Sequence, residues 1–160
     1  MRVFSTEVFP PVKIEADSGF WSGEVNICGV TLPMSIYIDS AVSDTELKHA
    51  ELLLDSLPEL RRRARAAIGS AAESDATIMR DFFQFHVDEV PHALPQALRA
   101  GGTNGAFVEA LELCSVAIHA HEHFAFQLVL DFSFGRQHSD ELLVVKFDPD
   151  GVIHQVSHES

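Results

Sequence analysis

Asp140-Glu141-Leu142-Leu143-Val144-Val145-Lys146-Phe147, then Asp148-Pro149-Asp150-Gly151, then Val152 to His158, is the stretch that decides the fold class. Two apolar runs flank a four-residue turn sequence. Pro presets φ for a turn and Gly accepts a left-handed position, so the segment reads as a β-hairpin. Upstream, Phe124, Phe126, Leu128, Leu130, Phe132 and Phe134 alternate with Ala125, Gln127, Val129, Asp131 and Ser133. One strictly apolar face and one mixed face describe a central strand with its apolar side on the core.

Working back toward the N-terminus, Leu32, Met34, Ile36 and Ile38 alternate with Pro33, Ser35, Tyr37 and Asp39. Glu24 to Ile27 alternates too, and Cys28-Gly29 lies between the two runs. Period two over this length predicts a pair of half-buried strands, with Pro33 marking a strand end or an edge. The middle of the chain changes period. Ser43-Asp44-Thr45-Glu46 is a capping box, followed by Leu47, Ala50, Leu54 and Leu57 at helical spacing. Ser56-Leu57-Pro58-Glu59 reads as a second capping box, opening a helix that stops at Gly69. Ser74-Asp75 opens a third, ended by Pro91. Residues 92–105 read as a loop with Thr103 or Asn104 as a cap, and Phe107 to Leu113 as a short helix. The expected fold is α+β: one domain over 1–160, an antiparallel sheet of six or seven strands, and three to four helices inserted in the middle and packed on one face.

Composition narrows the function classes. With 160 residues, 46% hydrophobic content and twelve Phe, the chain can build one core. Its net charge of −13 repels phosphate backbones and anionic lipid, which argues against nucleic-acid and membrane partners; the acidity either serves solubility or suits a basic protein partner. Met1 to Val12 lacks the apolar region of a secretion signal, and no run is long and apolar enough to span a bilayer, so a cytoplasmic protein is expected. Cys28 and Cys114 show no metal or redox spacing and read as buried thiols.

Three clusters carry candidate chemistry. His119, His121 and His123 share one face if extended, with neighbours roughly 6.6 Å apart. A neighbouring pair could chelate zinc or another divalent transition metal with a further ligand from Glu112, Asp131 or His154. A metal-dependent hydrolase built on this cluster, with Glu122 as base, is the alternative function; an exposed turn of solvated histidines is the other reading of the same residues. His154 and His158 read as a sheet rim. Arg61, Arg62, Arg63 and Arg65 fan around a helix, so they either pair with the chain's own carboxylates or meet an acidic partner or small anion. Trp21, the one tryptophan, either packs in the core against the first helix or stands exposed beside Phe20 as an interface anchor. Arg61, Arg62, Arg65 and Trp21 are thus the candidate interaction residues.

Phe20-Trp21-Ser22-Gly23-Glu24-Val25, the helical middle, Val129 to Ser133, and Asp140 to Gly151 come in an order that resembles a bacterial family of small cytoplasmic proteins classed as a domain of unknown function. Some similar domains accompany toxin–immunity systems. The resemblance implies no catalytic residues. Together with the charge of −13 and the lack of a complete catalytic motif in the sequence, it leads to the expectation of a non-catalytic binding module, immunity-protein-like, with no cofactor. For assembly, a strand from Val152 to His158 or from Leu32 to Ile38 is the expected open edge, giving a monomer or a weak homodimer.

Overall fold

A computed structural model of the chain describes residues 1–15, 19–120 and 127–160. Strands β1 (Arg2–Phe4) and β2 (Val12–Ile14) form a small antiparallel ribbon. Strands β3 (Phe20–Ile27), β4 (Val30–Ile38), β5 (Glu112–Ala120), β6 (Leu128–Ser133), β7 (Leu142–Phe147) and β8 (Ile153–Glu159) form a six-stranded sheet in that spatial order. The fold is α+β. Between β4 and β5 the chain makes α1 (Asp44–Asp55), α2 (Leu57–Ser74), α3 (Ala76–Ile78), a π-helical turn (Met79–Gln84), α4 (Phe85–Glu89) and α5 (Asn104–Ala110).

One sheet pair departs from the expected antiparallel pattern. β4 and β5 run parallel, with Met34 beside Val116 and Ile36 beside Ile118. The long helical connection carries the chain back past the start of β4 before β5 enters, which is the condition a parallel neighbour needs. This also makes β4 an interior strand, so Leu32 to Ile38 is not a sheet edge. Pro33 is tolerated there because pairing with β5 begins one residue later, at Met34.

The turns follow local chemistry. Ile27 and Val30 close around Cys28 (φ 51°) and Gly29 (φ 82°), the two positive φ values of a type I′ hairpin. Cys28 is therefore exposed at a turn, not buried in a strand. Cys114 lies half-buried in β5, its Sγ donating to Asp131 O at 3.3 Å, and burial pushes its thiol pKa up. Iodoacetamide is expected to label Cys28 well before Cys114 in the folded protein; equal rates by mass spectrometry would contradict this placement. At the second hairpin, Asp148 Oδ1 accepts from the Asp150 and Val152 amides at 2.9 Å each, and Gly151 takes φ 76°.

Helices α1 and α5 carry side-chain N-caps, and α2 and α4 do not. Glu46 N–H donates to Ser43 Oγ at 3.2 Å and Ser43 N–H to Glu46 Oε2 at 2.7 Å, a full capping box. Ser56 makes no side-chain cap. It is the single residue between α1 and α2, its amide bonds back to Leu52 and Leu53, and its dihedrals (φ −87°, ψ 6°) are not the extended ones an N-cap side chain needs. Helix α2 also continues past Gly69 to Ser74. Glycine costs an exposed helix only about 1 kcal/mol, and the buried stripe Ala64, Ile68 and Ala72 carries the helix through. Thr103 caps α5, accepting from the Ala106 amide at 3.2 Å, and the chain turns extended at Leu111 rather than staying helical to Leu113.

Burial alternates along the sheet. Met34, Ile36, Val116, Ile118, Leu128, Leu130, Phe132, Leu143, Val145 and Phe147 are buried, and their outward neighbours within the strands are more open except Ser133 and Val144, which are buried as well. Helix α1 lies against β5, and α2 against β7 and β8.

Candidate interaction site

The end of α1, the start of α2 and the β7–β8 turn meet around an open groove of about 330 Å³. Pro58 in the first turn of α2 forces the corner between the helices. Arg63 Nη1 donates to Gly151 O at 2.9 Å and ties the hairpin turn to α2. Gly151 also sits close to the corner, since a Cβ there would lie 3.4 Å from Leu53 Cδ2. Leu53, Leu60 and Pro149 line the groove, with Glu59 and Asp150 among its polar residues. Leu52 is 56% exposed beside them. On α1 the buried positions are Ala50, Leu53 and Leu54, so Leu52 projects from another flank of the helix.

The arginines of α2 separate into different roles. Arg62 grips Glu59 with both forks, at 2.6 and 2.9 Å, on the exposed surface, and that bond holds the Glu59 carboxyl below its ordinary pKa. Arg65 reaches under the junction of α5 and β5, donating to Leu111 O and, at 3.5 Å, to Glu109 O. Burial lowers the Arg65 pKa, and the neighbouring charge of Arg61 lowers it further. Arg61 is half-buried one turn before it. Two of the four arginines, Arg63 and Arg65, thus meet carbonyl oxygens, which leaves carboxylates elsewhere without those cations.

His119 stacks on Tyr37 across the β4–β5 pair, ring centroids 4.7 Å apart and nearly parallel, and Tyr37 packs on Phe20 at 5.0 Å. His121 and His123 lie outside the described residues, as does Glu122. Among the described residues no group of three or more His, Cys, Asp or Glu is placed to hold a metal ion. Trp21 is half-buried and folds over its own strand: a Cβ on Gly23 would sit 2.5 Å from Trp21 Cζ2. Across a hollow it faces Phe9, Pro11 and Val12 of the segment leading into β2. His154 is exposed on β8.

One cluster was not foreseen. His86 on α4 is fully buried, Nδ1–H donating to Phe82 O at 2.8 Å while Nε2 accepts from Ser139 Oγ at 3.1 Å. That tautomer follows because a carbonyl can only accept. Nearby, His158 Nε2 bonds Glu141 Oε2, and the His158 ring meets Phe82 edge-on at 5.6 Å. The one sequence signal was the helical cluster of Phe82, Phe83 and Phe85 beside His86; Ser139 is 53 residues away and gave none. Geometrically this is a hydroxyl hydrogen-bonded to an oriented imidazole, but the imidazole is sealed from solvent and Ser139 Oγ also accepts the Glu141 amide at 3.2 Å. The arrangement anchors the β6–β7 loop on α4.

Burial lowers the His86 pKa, against opposing pulls from the hydrogen bond to Phe82 O and then from Glu141, and with a small push from His158. A depressed folded pKa means that the unfolded chain binds the proton more readily. His86 therefore contributes its full stability above the ordinary histidine pKa of about 6.5, and that contribution is lost as pH falls through the folded value. Urea midpoints are expected to level off above about pH 6.5 and to fall below it, less steeply in His86→Gln. An identical slope in the variant would refute the assignment.

Comparison with models of protein families, with curated proteins and with solved structures finds no match to this chain. No described helix is long and apolar enough to cross a membrane.

Proposed function

We propose that this chain is a non-catalytic, cytoplasmic protein-binding module, immunity-protein-like, whose partner is basic. The observation that carries the reading is the groove at the α1–α2 corner: an exposed Leu52 beside Glu59 and Asp150, on a chain of net charge −13. An apolar anchor among polar neighbours is the usual plan of a binding surface. Surplus carboxylates raise the association rate with a cationic partner. The helices inserted between β4 and β5, packed on one face of the sheet, present this corner at the surface. The molecule works as a monomer or a weak homodimer.

The test is affinity capture from the native host at low salt, with wild-type protein and Leu52→Arg as paired baits. Leu52 is exposed, so the variant should keep its fold, as circular dichroism will show. A basic protein is expected on the wild type alone and is expected to be lost as salt screens the contact. Identical captures on both baits, or no protein on either, overturn the reading.

A further inference from the structure

A second surface goes beyond the groove and does not rest on it. Strand β3 is an end strand of the sheet, paired with β4 over eight residues without a register shift. The two-residue Cys28-Gly29 turn makes Ile27–Val30 a hydrogen-bonded pair, and such pairs recur at every second position of an antiparallel ladder. Val25, Gly23 and Trp21 therefore exchange amides and carbonyls with β4. Ser22, Glu24 and Asn26 direct theirs away from the sheet. Pro33 agrees with this phase: it stands opposite Glu24, where β4 need not donate to β3. Among the described residues, no backbone group bonds the outward side of Ser22, Glu24 or Asn26.

Protein edges are usually blunted by proline, lysine, a bulge or a short strand. β3 has none of these; its one charge is Glu24. The other end strand, β8, is bulged against β7 at Lys146/Phe147. Beside β3 lies a hollow of about 650 Å³ lined by Phe9, Pro11, Val12, Trp21 and Val25. Gly23, between Trp21 and Val25, is covered by the Trp21 ring, so the room next to the edge is the hollow itself.

We propose that the β3 edge from Ser22 to Asn26 receives an extended segment of another protein, as an added antiparallel strand whose side chains alternate basic and apolar. The outward amides and carbonyls supply the main-chain bonds. A basic side chain lies beside Glu24 on the open face. The apolar neighbours fall toward Trp21, Val25 and the hollow, because successive side chains of a strand point to opposite faces. Charge selects a foreign basic segment over a second copy of this chain, since each copy carries −13.

The probe is a short fluorescent peptide alternating lysine and valine, with acetylated and amidated ends. In hydrogen exchange followed by NMR, the Ser22, Glu24 and Asn26 amides are expected to exchange fast in the free protein and to slow by about tenfold or more at saturation, while Gly23 and Val25 stay protected throughout. Glu24→Pro removes an outward amide and leaves the β4 ladder intact, so it should weaken binding about tenfold with circular dichroism unchanged. The same peptide N-methylated on its pairing edge, tested on wild-type protein, should fail to bind and covers the case where Glu24→Pro disturbs the strand. Three results overturn the proposal: equal binding of the N-methylated peptide, binding that leaves the three amides unslowed, or protection of those amides without peptide. In the last case, protection that vanishes on dilution identifies a second copy as the occupant. Leu52→Arg is expected to bind the peptide normally; if it does not, the peptide sits in the groove, which overturns the β3 site and leaves the proposed function standing.

Discussion

Phe82→Ala is expected to lower the unfolding free energy by about 3–5 kcal/mol, the range for emptying a fully packed aromatic site. Phe82 has no exposed surface and lies in the π-helical turn. Its ring meets Phe83 at 5.3 Å, His86 at 4.7 Å, Phe134 at 5.5 Å and His158 at 5.6 Å. Those partners come from the helical segment, the residue that follows β6, and β8, so the void cannot close by moving one element. A domain of this size has roughly 5–15 kcal/mol in total, so the variant should be marginal at 37 °C. Urea denaturation at constant slope checks it. A loss under about 1.5 kcal/mol would mean that the site collapses around alanine and is not the packing centre it looks like.

Arg65→Ala should cost about 2 kcal/mol, through a different mechanism. The guanidinium bonds the carbonyls of Leu111 and Glu109, and Leu111 is fully buried. Removing it strands acceptors at the point where α5 becomes β5, and an unsatisfied buried group carries a penalty of roughly 1–3 kcal/mol. Arg62→Ala is the comparison on the same helix: its partner Glu59 is exposed, so no measurable change in the urea midpoint is expected. Equal effects of the two substitutions would sink the distinction.

Local chemistry was legible and distant pairing was not. The Asp148–Gly151 turn, the Ser43 box, the Thr103 cap and the alternation of β4 lie within a few residues of sequence, and each appears as expected; of the strand expected over Phe124 to Phe134, β6 shows Leu128 to Ser133, and 124–126 lie outside the described residues. Gly69 misled because one glycine is cheap against a buried stripe, and Ser56 because a corner residue serves two helices at once. β1 and β2, at three residues each, are too short for a period to register. The parallel β4–β5 pair follows from the path of the helical excursion, which no window of sequence contains. The arginines were visible as a cluster, but their partners, Gly151, Glu109 and Leu111, lie 44 to 88 residues away.

The parallel seam also sets the order in which this chain can assemble. The β3–β4 hairpin and the run from β5 to β8 each close over short spans, but Ile36 must find Ile118 across the whole helical connection. Closing a loop of that length carries an entropic barrier on the order of 4 kcal/mol before any contact compensates it. The seam should be the last part of the sheet to form and the first to part. In stopped-flow refolding, Ile36→Val and Ile118→Val should speed unfolding and leave the folding rate almost untouched, while Val145→Ala, inside the C-terminal meander, should slow folding. The reverse pattern would place the nucleus at the seam, and the helices would then have to fold before either half of the sheet.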